Sequence, residues 1–168
     1  MSAGLESIRR SMADYLNKRG VAAVTAFPAA LRQEREEPVA VVYLRGCRAE
    51  QAGFQNYLGE RYNRETGRWE ERYGRRARLT FGLDLYAPER ADGEVLQRAF
   101  DELAGVLLTG GPEGMELEEF SCGQTVRDPE SRRLKRPVEA VCSAWLWARA
   151  GESGGEFTDF ELRGVVKT

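Results

Sequence analysis

From Ala77 to Tyr86 the chain alternates without interruption. Leu79, Phe81, Leu83 and Leu85 fall on one side; Arg78, Thr80, Gly82, Asp84 and Tyr86 fall on the other. An extended backbone sends successive side chains to opposite faces, so this period of two predicts a strand with one face in a core, ended by Pro88. A strand buries a face only against neighbours, so the rest of the chain must supply them. Val39 to Leu44, VAVVYL, is apolar on both sides and predicts a central strand covered on two faces. Val21 to Phe27, closed by Pro28, predicts a short first strand. Phe120, Cys122, Gln124 and Val126 alternate with Ser121, Gly123 and Thr125, and Val138 to Ala148 is again β-prone. These two predict an antiparallel pair across RDPESRRLKRP, a loop rich in turn-formers and charge. A Gly/Ser-rich break from Gly151 to Gly155 precedes a last short strand around Phe160 to Val166.

Two segments change period. Leu5, Ile8, Met12, Tyr15 and Leu16 keep helical spacing, predicting an amphipathic helix over 5–19 with Gly20 as its stop. ALRQEREE, before the second strand, reads equally as a helical turn or a loop. Asp92 is a candidate N-cap for a second helix whose stripe is Val95, Leu96, Ala99, Phe100, Leu103, Val106 and Leu107, ended by Gly110-Gly111-Pro112. Helices interspersed among strands that pair as hairpins define an α+β fold: a mostly antiparallel sheet packed by two helices. At 168 residues, 42% of them apolar, the chain is expected to be one domain spanning 1–168.

The stretch FQNYLGERYNRETGRWEERYG predicts a long protruding β-hairpin, an arm at about 54–76, with Asn63 to Gly67 as its loop and Gly67 supplying a positive φ. Tyr62 and Trp69 then face each other across the strands. From Gly59 to Arg78 there are seven arginines against four glutamates, a net +3. Arginine among tyrosine and tryptophan suits a base-stacking platform, but the same three residue types dominate protein–protein hot spots. Glu70 and Glu71 beside Trp69 weigh against a passing phosphate backbone. Trp145 and Trp147 share a face with Val141, while Cys142, Ala144 and Leu146 hold the other. That strand is therefore internal to the sheet, or has one face buried by another subunit.

Several chemistries fail on residue type. The chain has no histidine, the usual proton shuttle near neutral pH and the commonest metal ligand. Cys47, Cys122 and Cys142 lack zinc-site spacing and an activating base, and read as structural. Glu36 and Glu37, and Glu116, Glu118 and Glu119, read as solvated surface charge rather than a catalytic acid pair. No phosphate-binding glycine motif occurs. Twenty-five basic against twenty-seven acidic residues leave a net −2, which does not suit a general polyanion binder. No segment has the apolar run of a signal peptide or membrane span, so an origin in the cytoplasm is expected.

With the arm and the following strand in view, YLGERYNRETGRWEERYG…RLTFGLDLYAP resembles tail terminator proteins of phages and phage-derived tail-like particles. The likeness is carried by Tyr57-Leu-Gly-Glu60, by the Leu79-to-Tyr86 strand leading into the Val95-to-Leu107 helix, and by Phe157-Thr-Asp-Phe160. It implies a non-enzymatic structural protein without cofactors or metal: a homo-oligomeric ring, a hexamer, that caps the tail tube and ends its polymerisation. Tube and possibly sheath subunits would be its partners. Assembly would take place in the cytoplasm of a bacterial host, and nucleic acid would enter only as DNA passing through the ring lumen. Other neck or tail-completion proteins, and a nucleic-acid-binding module using the arm, are the alternatives. The expected subunit-interface residues are Tyr57, Tyr62, Arg64, Arg68, Trp69, Tyr73, Trp145 and Trp147.

Overall fold

A computed structural model describes residues 4–26, 36–51, 57–150 and 157–163, excluding the side chains of 57, 58, 61, 70, 72, 73, 147–150 and 157–163. The expected ambiguous segment before the second strand, the arm's start at Phe54, the Gly/Ser break and the chain beyond Arg163 lie wholly or partly outside the described residues. In chain order the elements are α1 (Leu5–Lys18), β1 (Ala23–Val24), β2 (Val39–Gln51), β3 (Tyr57–Asn63), β4 (Arg68–Pro88), α2 (Val95–Leu108), β5 (Met115–Cys122), β6 (Val126–Asp128), β7 (Arg133–Arg136), β8 (Val138–Ala150) and β9 (Phe157–Arg163). This is the expected α+β arrangement, two helices on a mostly antiparallel sheet.

The alternating strand is the organiser. β4 is 21 residues long, about 70 Å at the usual strand rise. Along one edge it pairs with β3 through Arg68–Tyr73 and with β2 through Arg75–Tyr86. Along the other it pairs with β8 through Tyr73–Gly82 and with β7 through Leu85–Pro88. β5 and β9 then share the outer edge of β8, and β6 flanks β7. The short β1 runs parallel to β2, so the sheet is mixed rather than wholly antiparallel. Side-chain amide bonding fixes that short strand: Asn17 Nδ2 donates to Ala23 O and Asn17 Oδ1 accepts from Ala23 N, both at 2.9 Å.

Both helices lie on one face. Ile8, Met12 and Leu16 of α1 and Leu96, Leu103 and Leu107 of α2 bury against Ala40 and Val42, against Leu79, Phe81, Leu83 and Leu85, and against Ala140, Cys142 and Ala144. Tyr15 joins the helices by donating its hydroxyl to Val106 O at 3.2 Å. α1 stops where expected: Gly20 takes φ +86, its N–H reaches Asn17 O, and Val21 N–H reaches Leu16 O. That pair of bonds is a Schellman motif, and its apolar partners Val21 and Leu16 are both buried.

Several expectations need correction. The first strand is only Ala23–Val24 among its described residues, and the strand expected over Phe120–Val126 is split, with β5 ending at Cys122 and β6 starting at Val126. The second strand continues past Leu44 to Gln51 and so includes Cys47. Asp92 does not cap α2 directly; its side chain accepts the N–H of Glu94, the residue just before the helix. The RDPESRRLKRP segment is not an open loop but contains most of the β6–β7 hairpin. Asp128 Oδ2 accepts Ser131 N–H at 3.0 Å and Arg132 adopts φ +53, which closes a tight turn and lets the flanking residues pair.

Candidate functional site

The hairpin arm closes over Arg64–Gly67. Asn63 Oδ1 accepts Glu65 N–H at 2.9 Å, Gly67 N–H bonds Asn63 O at 2.8 Å, and Gly67 holds φ +66. The turn fixes the register, setting Tyr62 opposite Trp69. Their rings meet edge to face at 5.6 Å and 63°, the arrangement that aromatic quadrupoles favour. Yet the pair packs against little else: Tyr62 is 46% and Trp69 69% exposed. Arg64 and Arg68 are exposed beside them. Four of the expected interface residues therefore gather at the arm's tip.

The other four sit at its root. Tyr57 and Tyr73 are register partners, and Tyr73 also pairs with Ala148 in the last rung shared with β8. Beyond that rung, among the described residues, β3 and β4 continue as a two-stranded ribbon. Trp147 pairs with Gly74, and Trp145 with Arg76. Trp145 is half-buried; the side chains of Tyr57, Tyr73 and Trp147 lie outside the described residues.

The apolar second face of β8 has a cover that sequence reasoning did not supply. On that face Val141 and Ser143 are buried. Arg76 and Arg78 of β4 reach across β8 to Glu118 and Glu119 of β5, with N–O distances of 3.5–3.9 Å. The aliphatic stems of these long side chains roof the strand while their charged ends stay wet. No helix covers this face among the described residues.

The same face holds a buried carboxylate. Asp84 is 1% exposed. Arg45 donates to its Oδ2 at 2.7 Å, Lys135 Nζ stands 3.6 Å from that oxygen, and Val138 N–H donates to Oδ1 at 3.2 Å. Arg45 also approaches Glu139 at 3.8 Å. It reaches this position because β2 bulges between Leu44 and Gly46, which lays its guanidinium over Gly82. A Cβ at Gly82 would stand 2.6 Å from Arg45 Cζ. Beside the cluster, Val39, Val41 and Tyr86 form a small second core. Burial pushes the Tyr86 hydroxyl up, with Tyr43, Asp84 and Asp128 adding to it. With both carboxylate oxygens engaged by donors, Asp84 serves as a structural anion that ties β4 to β2, β7 and β8.

Burial pushes the Cys142 thiol up to about 12, and Glu118 adds to the shift; a thiol so placed is a poor nucleophile. Among the described residues no three His, Cys, Asp or Glu side chains converge to hold a metal ion, and no helix is long and apolar enough to cross a membrane. A groove of about 750 Å³ lies between the C-terminal end of α2 and β5, its lining including Leu107, Leu108, Met115, Leu117 and Phe120. No protein-family model matches the chain, and no curated protein is significantly similar to it.

Proposed function

We propose that the protein is a structural assembly component: a ring-forming tail terminator that caps a tail tube and ends its growth. The observation that carries the reading is the Tyr62–Trp69 pair, held in one geometry by a defined turn and left exposed at the end of a ribbon. A hairpin that fixes two rings and covers neither serves contact with another surface, since aromatic and arginine side chains dominate such contacts. The resemblance of Tyr57–Tyr86 and the closing Phe157–Phe160 segment to tail terminators supplies the kind of assembly. The mechanism is steric. One ring face would match the tube subunit, and the other would lack the surface that templates a further layer.

The test compares the wild-type chain with Tyr62→Ala/Trp69→Ala by sedimentation velocity and negative-stain microscopy. Wild type is expected to form discrete rings, and the double variant to remain a folded monomer with an unchanged far-ultraviolet spectrum. Rings of wild-type abundance from the double variant would overturn the arm's role. A nucleic-acid role rests on Arg64 and Arg68 flanking the ring pair. It predicts binding of a single-stranded oligonucleotide whose affinity falls linearly in log–log form with salt.

A further inference from the structure

Resting on that ring reading, we infer that the arms of neighbouring copies stack face to back, the ring-bearing face of one against the arginine-bearing face of the next. Over the protruding ribbon, residues 59–72, four arginines stand against four glutamates, so the arm as a whole carries no net charge. The register separates the two signs. Glu60 opposes Glu71 and Tyr62 opposes Trp69, and directly opposed residues share a face. The other face carries Gly59 with Arg72, Arg61 with Glu70, and Asn63 with Arg68. The first face therefore holds two glutamates, a charge of −2; the second holds three arginines and one glutamate, a charge of +2. Arg64 and Glu65 of the turn cancel.

A bulge decides which rings join the acidic face. Tyr57 and Tyr62 are an odd number of residues apart, and unbroken alternation would put them on opposite faces. The register shifts between Tyr57 and Gly59, and Gly59 takes φ +105, so Leu58 is the extra residue of a bulge. Tyr57 thereby pairs with Tyr73, on the same face as Trp69. Row by row, the acidic face reads Tyr57–Tyr73, Glu60–Glu71, Tyr62–Trp69: a pair of carboxylates between two rows of aromatic residues. Like charges directly opposite each other destabilise a ribbon, and Glu60 and Glu71 are exposed, as are Tyr62 and Trp69. Carboxylates flanked by rings suit a guanidinium, which pairs with the one and stacks on the other.

The opposite face of the same arm carries that group three times, at Arg61, Arg68 and Arg72. Two faces of one ribbon point in opposite directions and cannot meet within a molecule, so the complement comes from a second copy. Successive rows on one face stand about 7 Å apart, and the rows of the other face fall midway between them. Laid on a neighbour without a shift along the strands, the Arg72 and Arg61 rows straddle the Glu60–Glu71 row. A nucleic acid would cover the arginine face alone and leave the glutamates opposed. The contact joins unlike surfaces, as a ring requires.

Two charge-reversed variants test this. Glu60→Arg/Glu71→Arg makes both faces of the arm positive. Arg68→Glu/Arg72→Glu makes both negative and leaves the Arg61–Glu70 row unchanged. Circular dichroism verifies folding; Arg68→Gln/Arg72→Gln, which leaves that face neutral, serves if the reversed pair unfolds and should give the same loss at smaller size. Each variant alone brings like charges together at every junction, so its dissociation constant, read by sedimentation velocity, should rise roughly tenfold or more over wild type. Mixed one to one, the variants present unlike faces wherever they alternate, and assembly should recover. Variants that assemble alone like wild type would overturn the stacked arms while leaving the ring in place. Folded, monomeric variants that stay apart on mixing would overturn them as well. Wild type that stays monomeric to about 100 µM, the edge of weak specific affinity, would remove the ring reading and this inference with it.

Discussion

At Gly82 the absence of a side chain makes room for a neighbour's charge. Arg45 occupies the volume a Cβ would take, and from there reaches Asp84 at 2.7 Å. Gly82→Ala should therefore displace the guanidinium and weaken its hold on a buried carboxylate, costing about 1–3 kcal/mol. In an Arg45→Ala background the same change should cost close to nothing, since the collision is gone and alanine suits a strand better than glycine. A double-mutant cycle by urea denaturation reads the coupling; additive effects would mean that Arg45 does not depend on the gap. Cys142 offers a second residue-scale outcome. Its thiol ionises near 9.0 when unfolded and at about 12 when folded. Below both values it is neutral in either state and stability is unaffected. As pH rises from 9 towards 12 the unfolded state loses the proton first, so stability falls, by at most about 1.4 kcal/mol per pH unit. Tyr86, also raised, adds a loss of the same sign at the top of that window. Cys142→Ala should flatten the decline measured between pH 8 and 10.5, whatever its own packing cost.

At the scale of elements, legibility followed the strength of local constraint. The Leu79–Leu85 alternation gave a strand because one apolar face could be buried in only one register. The Asn63–Gly67 turn was readable because Asn63 and Gly67 each supply a conformation few residues can, and that turn alone places Tyr62 against Trp69. The β6–β7 hairpin was missed because its residues are charged: its pairing depends on Asp128 closing a turn, with no hydrophobic pattern to show it. The Asp84 cluster was missed for a different reason. Its position on the polar side of an alternating strand was plain, but its burial depends on the bulge at Arg45 and on Lys135, 51 positions away in sequence from Asp84. Such a contact is a product of topology, and no spacing within one strand reveals it. The two-sided apolar character of Val138–Leu146 was legible, whereas the arginine and glutamate side chains of neighbouring strands that meet over its second face were not.

For the whole molecule, the proposed ring would join unlike surfaces, the arm of one copy and another part of the next, and that decides what kind of assembly could follow. An interface between unlike surfaces repeats: each added copy would present a fresh arm and a fresh acceptor surface, so the series ends only if the rotation between neighbours closes on itself. If it does not close, the product is a filament whose length grows with concentration. β4 runs from the arm's tip to the helix-covered core without a break, so in the proposed ring the direction in which it holds Trp69 relative to the core would set that rotation. A terminator needs closure, since an open filament would leave sticky ends beside the tube. The expected outcome is a single assembled mass that stays constant while its fraction rises with concentration, read by mass photometry across a hundredfold dilution series. Binding of this kind also stabilises the folded state by mass action, so the melting temperature should climb over the same series for wild type and stay flat for Trp69→Ala. A mass distribution that broadens and shifts upward with concentration would mean the contact does not close, and a chain built that way extends an assembly rather than ending one.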